Sequence, residues 1–491
     1  MLLEDLAAEL TLPERARGVQ VSAVTADSRA VVEGTLFAAL RGSVVDGARF
    51  VPTAVAQGAV AVLAANDAEI GETSVPVLRC ADPRRALALM AARLAGRQPE
   101  TIVAVTGTSG KTSVAVFTRQ IFEAAGLHAA SIGTVGIQTS SGGDYASLTT
   151  PDPVRLHASL AALADEGVTH AAMEASSHGL DQRRLDGVKL TAAAFTNLGR
   201  DHLDYHATVE EYLAAKLRLF DTLLPDGGTV VTDPGEAYAD RVIAIAEDRG
   251  LPLLTVGEQG GDLRLVGLER DGFHQRLTIR AGGRDHTVML PLPGRFQVSN
   301  ALIAAGLAVA GGVAVPVALK ALEGLKGASG RLEFAGKTAA GGLAFIDYAH
   351  KPEALDNALT ALRPYASGRL ILVFGAGGDR DPGKRPIMGR IAATRADVVI
   401  VTDDNPRGED PQTIRSAILA TAPDAIEIGD RGKAIETAIG MLGAGDVVCV
   451  AGKGHETGQI LTDRTVPFSD HEAVRAALAA LAVPGAAEET R

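Results

Sequence analysis

The feature of this sequence that most constrains its fold is an alternation, from about residue 98 onwards, of short β-branched runs with stretches rich in Ala and Leu. Such an alternation is typical of βα repeats, in which the connecting helices cover both faces of a parallel sheet. We expect strands at 102–106, 168–174, 192–197, 344–348, 370–374, 398–402 and 446–451. The sequence therefore predicts the α/β class, with parallel sheets as its scaffold.

Chain length and changes of pattern predict three domains. With 491 residues, 46% of them hydrophobic, the chain exceeds the roughly 100–200 residues of one typical domain. Residues 1–97 have shorter segments and predict a small α/β module, whereas residues 98–328 predict a central parallel-sheet domain with a phosphate loop. Glycines at 327 and 330 follow an Ala-rich helix that we expect at 299–323. They mark the start of a Rossmann-like domain at 329–491.

Composition narrows the classes of partner. A net charge of −12 and an aromatic content of 4% without Trp argue against a nucleic-acid surface, because phosphate binding needs clustered Lys and Arg. No run of about 18 apolar residues occurs, and the N-terminus lacks a signal sequence. Cys80 and Cys449 are too few for a disulfide framework. We therefore expect a cytoplasmic protein, without membrane insertion, whose partners are small molecules.

A glycine-rich loop follows the first central strand. Strand, turn and helix are arranged as in a nucleotide triphosphate cradle, and the turn reads Gly107, Thr108, Ser109, Gly110, Lys111, Thr112 and Ser113. Glycines let backbone N–H groups approach phosphates, Lys111 supplies a charge, and a hydroxyl of Thr112 or Ser113 can reach Mg²⁺. Val105 stands where the standard loop has glycine, and a plain turn before a helix is the alternative. We predict that the loop binds ATP.

Two further polar positions follow strands of the same predicted sheet. Glu174 ends one strand, and the strand that ends at residue 197 leads into a polar run that contains His202. The carboxyl ends of parallel strands lie along one edge, where a carboxylate is well placed to hold Mg²⁺. A helix cap or a solvated loop is the alternative for either residue alone. Their convergence on one edge favours a metal site.

The helix after this polar run carries a lysine in an unusual place. Thr208 and Glu211 form a capping-box pattern, and apolar residues then recur at helical spacing at Val209, Tyr212, Leu213, Leu217 and Phe220. Lys216 lies in the middle of that apolar stripe. Burial disfavours the ammonium form, and a neutral lysine can react with carbon dioxide to give a carbamate that bridges two Mg²⁺ ions. The alternative is a lysine whose ammonium passes the stripe and reaches solvent.

Together these motifs resemble those of the Mur ligase family, in particular its diaminopimelate-adding members, over nearly the whole chain and in the family's order. The resemblance implies ATP-dependent addition of meso-2,6-diaminopimelate to UDP-N-acetylmuramoyl-L-alanyl-D-glutamate, through an acyl phosphate, in peptidoglycan precursor synthesis. It implies catalytic roles for Lys111, Glu174, His202 and Lys216, with Lys216 carried as N6-carboxylysine. Mg²⁺ would be held by Thr112, Ser113, Glu174, His202 and Lys216.

The resemblance also implies three sets of binding residues. Nucleotide-side residues, besides the loop, are Asn300, Arg331 and Asp347. Contacts to the UDP substrate are Ser28 in the first module, which is thus expected to bind UDP, and Thr149, Thr150, Ser176, Gln182 and Arg184. Contacts to diaminopimelate are Arg380, Asp404, Asn405, Pro406, Arg407, Gly452 and Glu456.

The choice of amine depends on the loops of the last third. Meso-diaminopimelate carries a carboxylate beside its distal ammonium; Arg407 can form a bidentate pair with that carboxylate, and Glu456 can accept from the ammonium. Arg407 could instead pair with Asp410. A lysine- or ornithine-adding Mur ligase, a folylpolyglutamate-type ligase and a P-loop ATPase without ligation are the alternative functions. We expect the enzyme to be a monomer.

Overall fold

The computed structural model describes residues 1–42, 45–140, 142–144, 149–199, 201, 205–271 and 274–482. The chain divides into two compact units. The first comprises Met1–Leu265, Arg280–Arg284 and Leu302–Ala321, and the second comprises Val266–Ile279, Asp285–Ala301 and Leu322–Arg491. Within the described ranges, no helix is both long enough and apolar enough to span a bilayer.

The N-terminal module of the first unit is a parallel sheet whose strands follow chain order: β1 (Ala23–Thr25), β2 (Thr35–Ala39), β3 (Ala59–Ala65) and β4 (Val77–Cys80). Its helices are α1 (Leu3–Leu6), α2 (Val51–Ala56) and α3 (Pro83–Ala95). Asp82 caps α3 by accepting from the Arg85 N–H at 3.0 Å, and Gly96 ends the helix with φ of 74°. The predicted small α/β module is therefore confirmed.

The central sheet of the first unit carries the glycine-rich loop. Its strands are β5 (Thr101–Thr106), β6 (Ala129–Gly133), β7 (Gly136–Thr139), β8 (Gly142–Asp144), β9 (His170–Glu174), β10 (Ala192–Phe195), β11 (Thr229–Thr232) and β12 (Leu253–Gly257). They lie in the order β12-β11-β10-β5-β9-β6-β7-β8, and β5 pairs in parallel with both β9 and β10. The carboxyl ends of these three strands therefore meet at one edge. The accompanying helices are α4 (Lys111–Ala124), α5 (Pro153–Asp165), α6 (Ser177–Asp181), α7 (Val209–Arg218) and α8 (Ala239–Asp248).

Three strands and two helices follow along the chain: β13 (Leu263–Asp271), β14 (His274–Ala281), β15 (Arg284–Leu290), α9 (Arg295–Ala310) and α10 (Val315–Ala321). The prediction of one helix over 299–323 is wrong, because Gly311 and Gly312 separate two helices. The Val313 N–H donates to the Ala308 carbonyl at 3.0 Å, and Gly312 has φ of 100°. A glycine turn of this kind closes a helix, and the alanine-rich sequence on both sides concealed it.

The second unit contains a six-stranded sheet in the order β16-β17-β21-β18-β19-β20. Its strands are β16 (Glu333–Lys337), β17 (Leu343–Asp347), β18 (Leu370–Phe374), β19 (Val398–Val401), β20 (Ile426–Glu427) and β21 (Val447–Ala451), and a separate hairpin joins β22 (Gly458–Ile460) to β23 (Thr465–Pro467). β16 is antiparallel to β17, and the other neighbours are parallel. The helices are α11 (Pro352–Leu362), α12 (Lys384–Arg395), α13 (Pro411–Leu419), α14 (Arg431–Gly440) and α15 (Asp470–Ala482). Apolar clusters cover both sheet faces, as expected for a Rossmann-like α/β domain.

All seven predicted strands are present, with ends that differ by at most two residues. Thr196 and Asn197 lie beyond the end of β10 because their side chains bond to the glycine-rich loop. Tyr348 lies beyond β17, where its N–H donates to the Gly330 carbonyl at 2.7 Å. The differences therefore fall where residues leave the sheet to make contacts with loops.

Candidate functional site

The glycine-rich loop joins β5 to α4 and depends on two glycines. Gly107 has φ of 151° and Gly110 has φ of 87°, a region that favours glycine. A Cβ atom at Gly107 would overlap the Thr196 hydroxyl. Without a side chain at Gly107, the loop backbone can approach a ligand closely. On its other side, the loop packs tightly against Thr196, which follows β10.

The end of β10 holds the loop in place. Asn197 accepts from the Ser109 N–H through Oδ1 at 3.0 Å and from the Thr108 N–H through its carbonyl at 2.9 Å. Thr196 Oγ1 donates to the Ser109 carbonyl at 2.7 Å. Three hydrogen bonds from one neighbouring strand thus set the shape of the loop before any ligand binds.

Two lysines converge on one loop carbonyl. Lys111 Nζ and Lys216 Nζ each donate to the Gly107 carbonyl at 2.8 Å. Because they share one acceptor, the two nitrogen atoms lie close together. Lys216 is 1% exposed, and its Nζ lies 4.3 Å from the centre of the Tyr212 ring. The prediction that Lys216 lies within the apolar stripe is confirmed, and the solvent-reaching alternative is wrong. Two cations on one acceptor repel each other.

Glu174 lies at the sheet edge next to the loop. Its strand, β9, pairs with β5 so that Val105 is opposite Glu174. The carboxylate is 2% exposed and accepts from the Thr134 N–H at 2.7 Å and from Thr134 Oγ1 at 3.2 Å. A Cβ atom at Gly133 would overlap this carboxylate. Glycine at 133 therefore leaves the space that the carboxylate needs.

The residues predicted to contact the UDP substrate form a network around Glu174. Thr150 Oγ1 donates to the Glu174 carbonyl at 3.0 Å and accepts from the Ser176 N–H at 3.0 Å. Arg184 donates to the Thr150 carbonyl and to Gln182 Oε1, both at 2.7 Å. The structure thus brings four of these predicted residues together with the predicted metal ligand.

Two other residues of that set differ in position. Thr149 Oγ1 lies 3.0 Å from Thr134 Oγ1, which joins it to the Glu174 network. Ser28 lies in a short turn of the N-terminal module that Asp27 caps. Within the part of the chain that the structure describes, Ser28 makes no hydrogen bond to the other predicted UDP-substrate residues.

The predicted Mg²⁺ ligands supply oxygen donors. Thr112 and Ser113 are buried in the first turn of α4, next to the loop, and Glu174 adds a carboxylate. His202 lies outside the described residues. Among the residues that are described, no three His, Cys, Asp or Glu side chains form a metal-binding group. Hydroxyl and carboxylate oxygens are nevertheless the donors that Mg²⁺ prefers alongside substrate phosphates, so the chemistry of this set fits that ion.

The nucleotide-side residues Asn300, Arg331 and Asp347 lie in the second unit. Asn300 Nδ2 donates to Gln297 Oε1 at 3.2 Å, and Gln297 Nε2 donates to the Arg331 carbonyl at 3.3 Å. The Arg331 guanidinium lies 4.7 Å from the centre of the Tyr348 ring. Gln297 thus connects two of the predicted residues, and the sequence had given no reason to single it out.

Asp347 ends β17 and is buried. Its carboxylate accepts from the Leu332 N–H at 2.6 Å and from the Ala349 N–H at 2.8 Å. Burial raises the pKa of Asp347 to about 6, although the charge of Arg331 acts in the opposite direction. The carboxylate therefore fixes the turn after β17.

Arg407 has one edge of its guanidinium held and another open. Nη1 donates to the Gly378 carbonyl at 3.0 Å and lies 3.4 Å from the Asn405 carbonyl. Nε and Nη2 reach no acceptor within the described ranges. Arg407 has φ of 51°, which is a strained conformation. Two hydrogen bonds to the β22–β23 hairpin hold it. The Arg407 N–H donates to the Ile460 carbonyl, and Thr462 Oγ1 donates to the Arg407 carbonyl. The open edge has the geometry that a carboxylate needs for a bidentate pair.

The alternative partner of Arg407 is occupied elsewhere. Asp410 caps α13 and accepts from the Thr413 N–H at 3.0 Å and from Thr413 Oγ1 at 2.9 Å. The predicted alternative of an ion pair between Arg407 and Asp410 is therefore wrong.

Three of the remaining diaminopimelate residues lie next to Asn405: its two neighbours in sequence and Glu456. Asn405 Nδ2 donates to Glu456 Oε2 at 2.9 Å, whereas Glu456 Oε1 has no hydrogen-bond partner among the described residues. Asp404 and Pro406 are buried beside Asn405, and the N–H of Gly452 donates to the Asp347 carbonyl at 3.0 Å. Arg380, by contrast, is exposed and makes no hydrogen bond to any described residue.

Sequence reasoning missed several residues that hold these sites. Asn197 and Lys453 stood at predicted strand ends, and the convergence of those ends was the available signal. Thr134 reaches Glu174 across 40 positions of sequence, and no local pattern indicates such a contact.

Comparison with family models gives three matches. The model for the Mur ligase family, catalytic domain, matches residues 20–94. The Mur ligase middle domain matches residues 105–308, and the Mur ligase, glutamate ligase domain, matches residues 330–454. Together they cover most of the chain.

Individual relatives agree with these matches. The chain is 58% identical over 468 residues to the UDP-N-acetylmuramoyl-L-alanyl-D-glutamate–2,6-diaminopimelate ligase of Brucella melitensis, covering 95% of this chain and 96% of that protein. It is 58% identical over 479 residues to the protein of the same name from Mesorhizobium japonicum, covering 97% and 99%. A solved structure of a ligase with that name superposes with a TM-score of 0.72 at 32% identity, over 98% of this chain and 99% of that one.

Proposed function

Since this chain belongs to the Mur ligase family, we propose that it joins meso-2,6-diaminopimelate to UDP-N-acetylmuramoyl-L-alanyl-D-glutamate in peptidoglycan precursor synthesis. As in that family, the reaction is an ATP-dependent amide-bond formation with small-molecule substrates. The observation that carries the choice of amine is the arrangement around Asn405. Its carbonyl lies next to Nη1 of Arg407, and its side chain bonds to Glu456. An open guanidinium edge and an open carboxylate oxygen therefore flank one residue, and they match the distal carboxylate and ammonium of diaminopimelate.

The first chemical step is acyl activation. The D-glutamyl carboxylate attacks the γ-phosphorus of ATP, ADP leaves and an acyl phosphate forms. Backbone N–H groups of the loop at 107–113 bind the phosphates, and Lys111 neutralises charge that develops on them. In the second step the amine attacks the acyl carbon, its nitrogen loses a proton, phosphate leaves with one former carboxylate oxygen, and an amide remains. Thr149, Thr150, Ser176, Gln182 and Arg184, with Ser28 at the uridine end, orient the UDP substrate.

Mg²⁺, when bound, supplies positive charge that shields the transferring phosphoryl group. We propose that Thr112, Ser113, Glu174, His202 and a carbamate on Lys216 hold it. Support comes from the burial of Lys216 and from the shared carbonyl at Gly107, where a second ammonium is unfavourable. A carbamate replaces that ammonium with an anion, so the charge next to Lys111 becomes attractive.

A second group of residues serves the nucleotide and the amine. Asn300, Arg331 and Asp347 act on the nucleotide side, and the turn that Asp347 fixes supports that role. Arg407 binds the distal carboxylate, Glu456 accepts from the distal ammonium, and Asp404, Asn405, Pro406 and Gly452 shape the pocket. Arg380 is exposed and available to contact the amino acid.

Acceptor-dependent ADP release tests this function. With ATP and the UDP-muramoyl dipeptide, we expect kcat/KM for meso-diaminopimelate to exceed that for lysine or ornithine by about 100-fold or more, because a buried site built for a charged group penalises its absence. ADP release without any amine should be under about 1% of the full rate. Equal rates with lysine would indicate a lysine-adding ligase. Full ADP release without amine would indicate an ATPase, and turnover only with a folate donor would indicate a folylpolyglutamate-type ligase.

We also propose three domains at 1–97, 98–328 and 329–491, and a cytoplasmic monomer. The family matches at 20–94, 105–308 and 330–454 each fall inside one of these domains, which supports the boundaries. Sedimentation of the purified protein as a single species of 50.5 kDa is the expected result for a monomer.

A further inference from the structure

A lysine that none of the proposed contacts uses lies at the centre of the amino-acid pocket. Lys453 is 0% exposed. Its Nζ donates to Asn405 Oδ1 at 2.7 Å and to the Gly458 carbonyl at 2.8 Å, and it lies 3.4 Å from both Asp404 Oδ1 and Glu456 Oε2. A buried ammonium is costly unless such acceptors surround it. Its position therefore fixes the positions of the groups that it binds.

The first of these groups is the side-chain amide of Asn405. Oδ1 accepts from Lys453 Nζ and also from the Ile460 N–H at 2.9 Å. Because both donors approach the oxygen, the NH₂ group must point the other way, towards Glu456 Oε2 at 2.9 Å. The lysine thus sets the orientation of the amide, which in turn sets the orientation of the glutamate.

The second group is the carboxylate of Glu456. Oε2 takes the Asn405 amide and the Lys453 ammonium, and Oε1 is left without a partner within the described part of the chain. The side chain is 27% exposed, so the open oxygen is accessible to a ligand. Without Lys453, the carboxylate would lose one of the two donors that hold it.

The third group is the β22–β23 hairpin. Lys453 holds the Gly458 carbonyl, Gln459 Nε2 donates to the Asp404 carbonyl at 2.7 Å, and the Ile460 carbonyl accepts from the Arg407 N–H at 3.0 Å. The hairpin therefore connects the buried lysine to the backbone of Arg407.

We infer that Lys453 is a positioning residue for the amino-acid acceptor: through Asn405, Glu456 and the hairpin, it holds the groups that recognise the distal ammonium and carboxylate. The inference rests on the proposed function. It assigns to Lys453 an effect on acceptor affinity and selectivity, and no effect on ATP. A lysine that served only stability would lower the amount of folded enzyme without changing either KM.

Lys453→Met tests the inference, since it keeps the length of the side chain and removes its donors. We expect KM for meso-diaminopimelate to rise about 30-fold or more, with kcat within about threefold and KM for ATP unchanged. Lys433, which is exposed on α14, provides the matched control, and Lys433→Met should leave all three values unchanged. An unchanged acceptor KM, or equal changes in both KM values, would overturn the assignment.

A second variant separates positioning from folding. Lys453→Arg keeps the buried charge, but its planar fork presents donors in other directions. We expect a melting midpoint within about 3 °C of the parent and a KM for meso-diaminopimelate raised about 10-fold. A folded Lys453→Arg enzyme with normal acceptor KM would contradict the inference.

A double-mutant cycle tests whether Lys453 acts through Glu456. Once Glu456→Gln has removed the carboxylate, adding Lys453→Met should raise acceptor KM by less than about 10-fold, which is below the effect in the parent, because only the route through the hairpin to Arg407 remains. Fully multiplicative effects would show that the two residues act independently, and the inference would fail. If the unmodified enzyme did not use meso-diaminopimelate at all, the proposed function would fail instead, so the two failures are distinguishable.

Discussion

The phosphate loop of the first unit and the amino-acid pocket of the second are built in opposite ways. The loop is one run of residues at 107–113, whose backbone is hydrogen-bonded to Thr196 and Asn197, just beyond β10. The pocket collects side chains from loops after β18, β19 and β21 and from the β22–β23 hairpin, around one buried ammonium. A contiguous, glycine-dependent run suits a ligand that every family member shares, whereas an assembly of separate side chains can change its ligand by single substitutions.

The phosphate loop and the amino-acid pocket also differ in the charged groups that they present. At the loop, Lys111 and Lys216 both donate to the Gly107 carbonyl, and the proposed carbamate would turn the second of them into an anion. In the pocket, Lys453 is surrounded by four acceptors, and Glu456 keeps one oxygen open, so a cation is attracted. In the proposed function, the loop presents Lys111 to a phosphate, whereas the pocket presents Glu456 to an ammonium.

The largest expected effect would come from Lys216→Ala, which tests the proposed carbamate next to the loop. We expect a fall in kcat of about 1,000-fold, because the proposed carbamate, and with it a proposed ligand of Mg²⁺, would be lost. Added formate or acetate should restore part of the rate by occupying the vacated space. Lys189, exposed in the same unit, provides the control Lys189→Ala. An active Lys216→Ala enzyme, or an inactive one without rescue, would contradict the carbamate.

Arg407→Ala has the next largest expected effect and tests how the amino-acid pocket selects its ligand. We expect kcat/KM for meso-diaminopimelate to fall about 100-fold and that for lysine to change little, because only the former has a distal carboxylate for the open guanidinium edge. Arg464→Ala, at an exposed position of the hairpin region, is the control. Equal losses with both acceptors would show that Arg407 has a structural role.

Gly133→Ala should lower the stability of the protein and disturb the sheet edge that carries Glu174. The new Cβ atom would overlap the Glu174 carboxylate, so either the strand or the carboxylate must move. We expect the free energy of unfolding to fall by about 1–3 kcal/mol. Gly71→Ala, where a Cβ atom meets open space, should be neutral in the same denaturation experiment. A neutral Gly133→Ala would mean that the edge of the central sheet is less tightly packed than the structure shows.

The smallest effect concerns pH and lies away from both sites. Hydrogen bonding to Arg369 lowers the pKa of Asp446 from 3.8 to about 2. The stabilising contribution of this carboxylate is therefore present above pH 3.8 and is lost as the pH falls through about 2. Between pH 4 and pH 2, the melting midpoint of the parent should fall more steeply than that of Asp446→Asn, by about 3 °C. Parallel curves would exclude this ion pair as a source of stability.

The sequence predicted the contiguous phosphate loop better than it predicted the amino-acid pocket. The loop, the seven strands and the burial of Lys216 were predictable because each depends on residues that are near in sequence and on regular periodicity. The break at Gly311 and Gly312 was missed because helix propensity is high on both sides of it. The contact of Thr134 with Glu174 and the contact of Lys453 with Asn405 were not predictable, since each joins residues 40 or more positions apart. A pattern can place such residues at one sheet edge, but the orientation of an amide or a carboxylate depends on packing.

The proposed function depends most on one step, in which a carboxylate of the substrate is phosphorylated before the amine attacks. The direct measurement uses the UDP-muramoyl dipeptide with ¹⁸O in its D-glutamyl carboxylate, together with ATP and meso-diaminopimelate. Mass spectrometry of the released phosphate should find one ¹⁸O atom per phosphate, because the bridging oxygen of the acyl phosphate leaves with it. Phosphate that carries no label would show that water attacks ATP, and the proposed function would be contradicted.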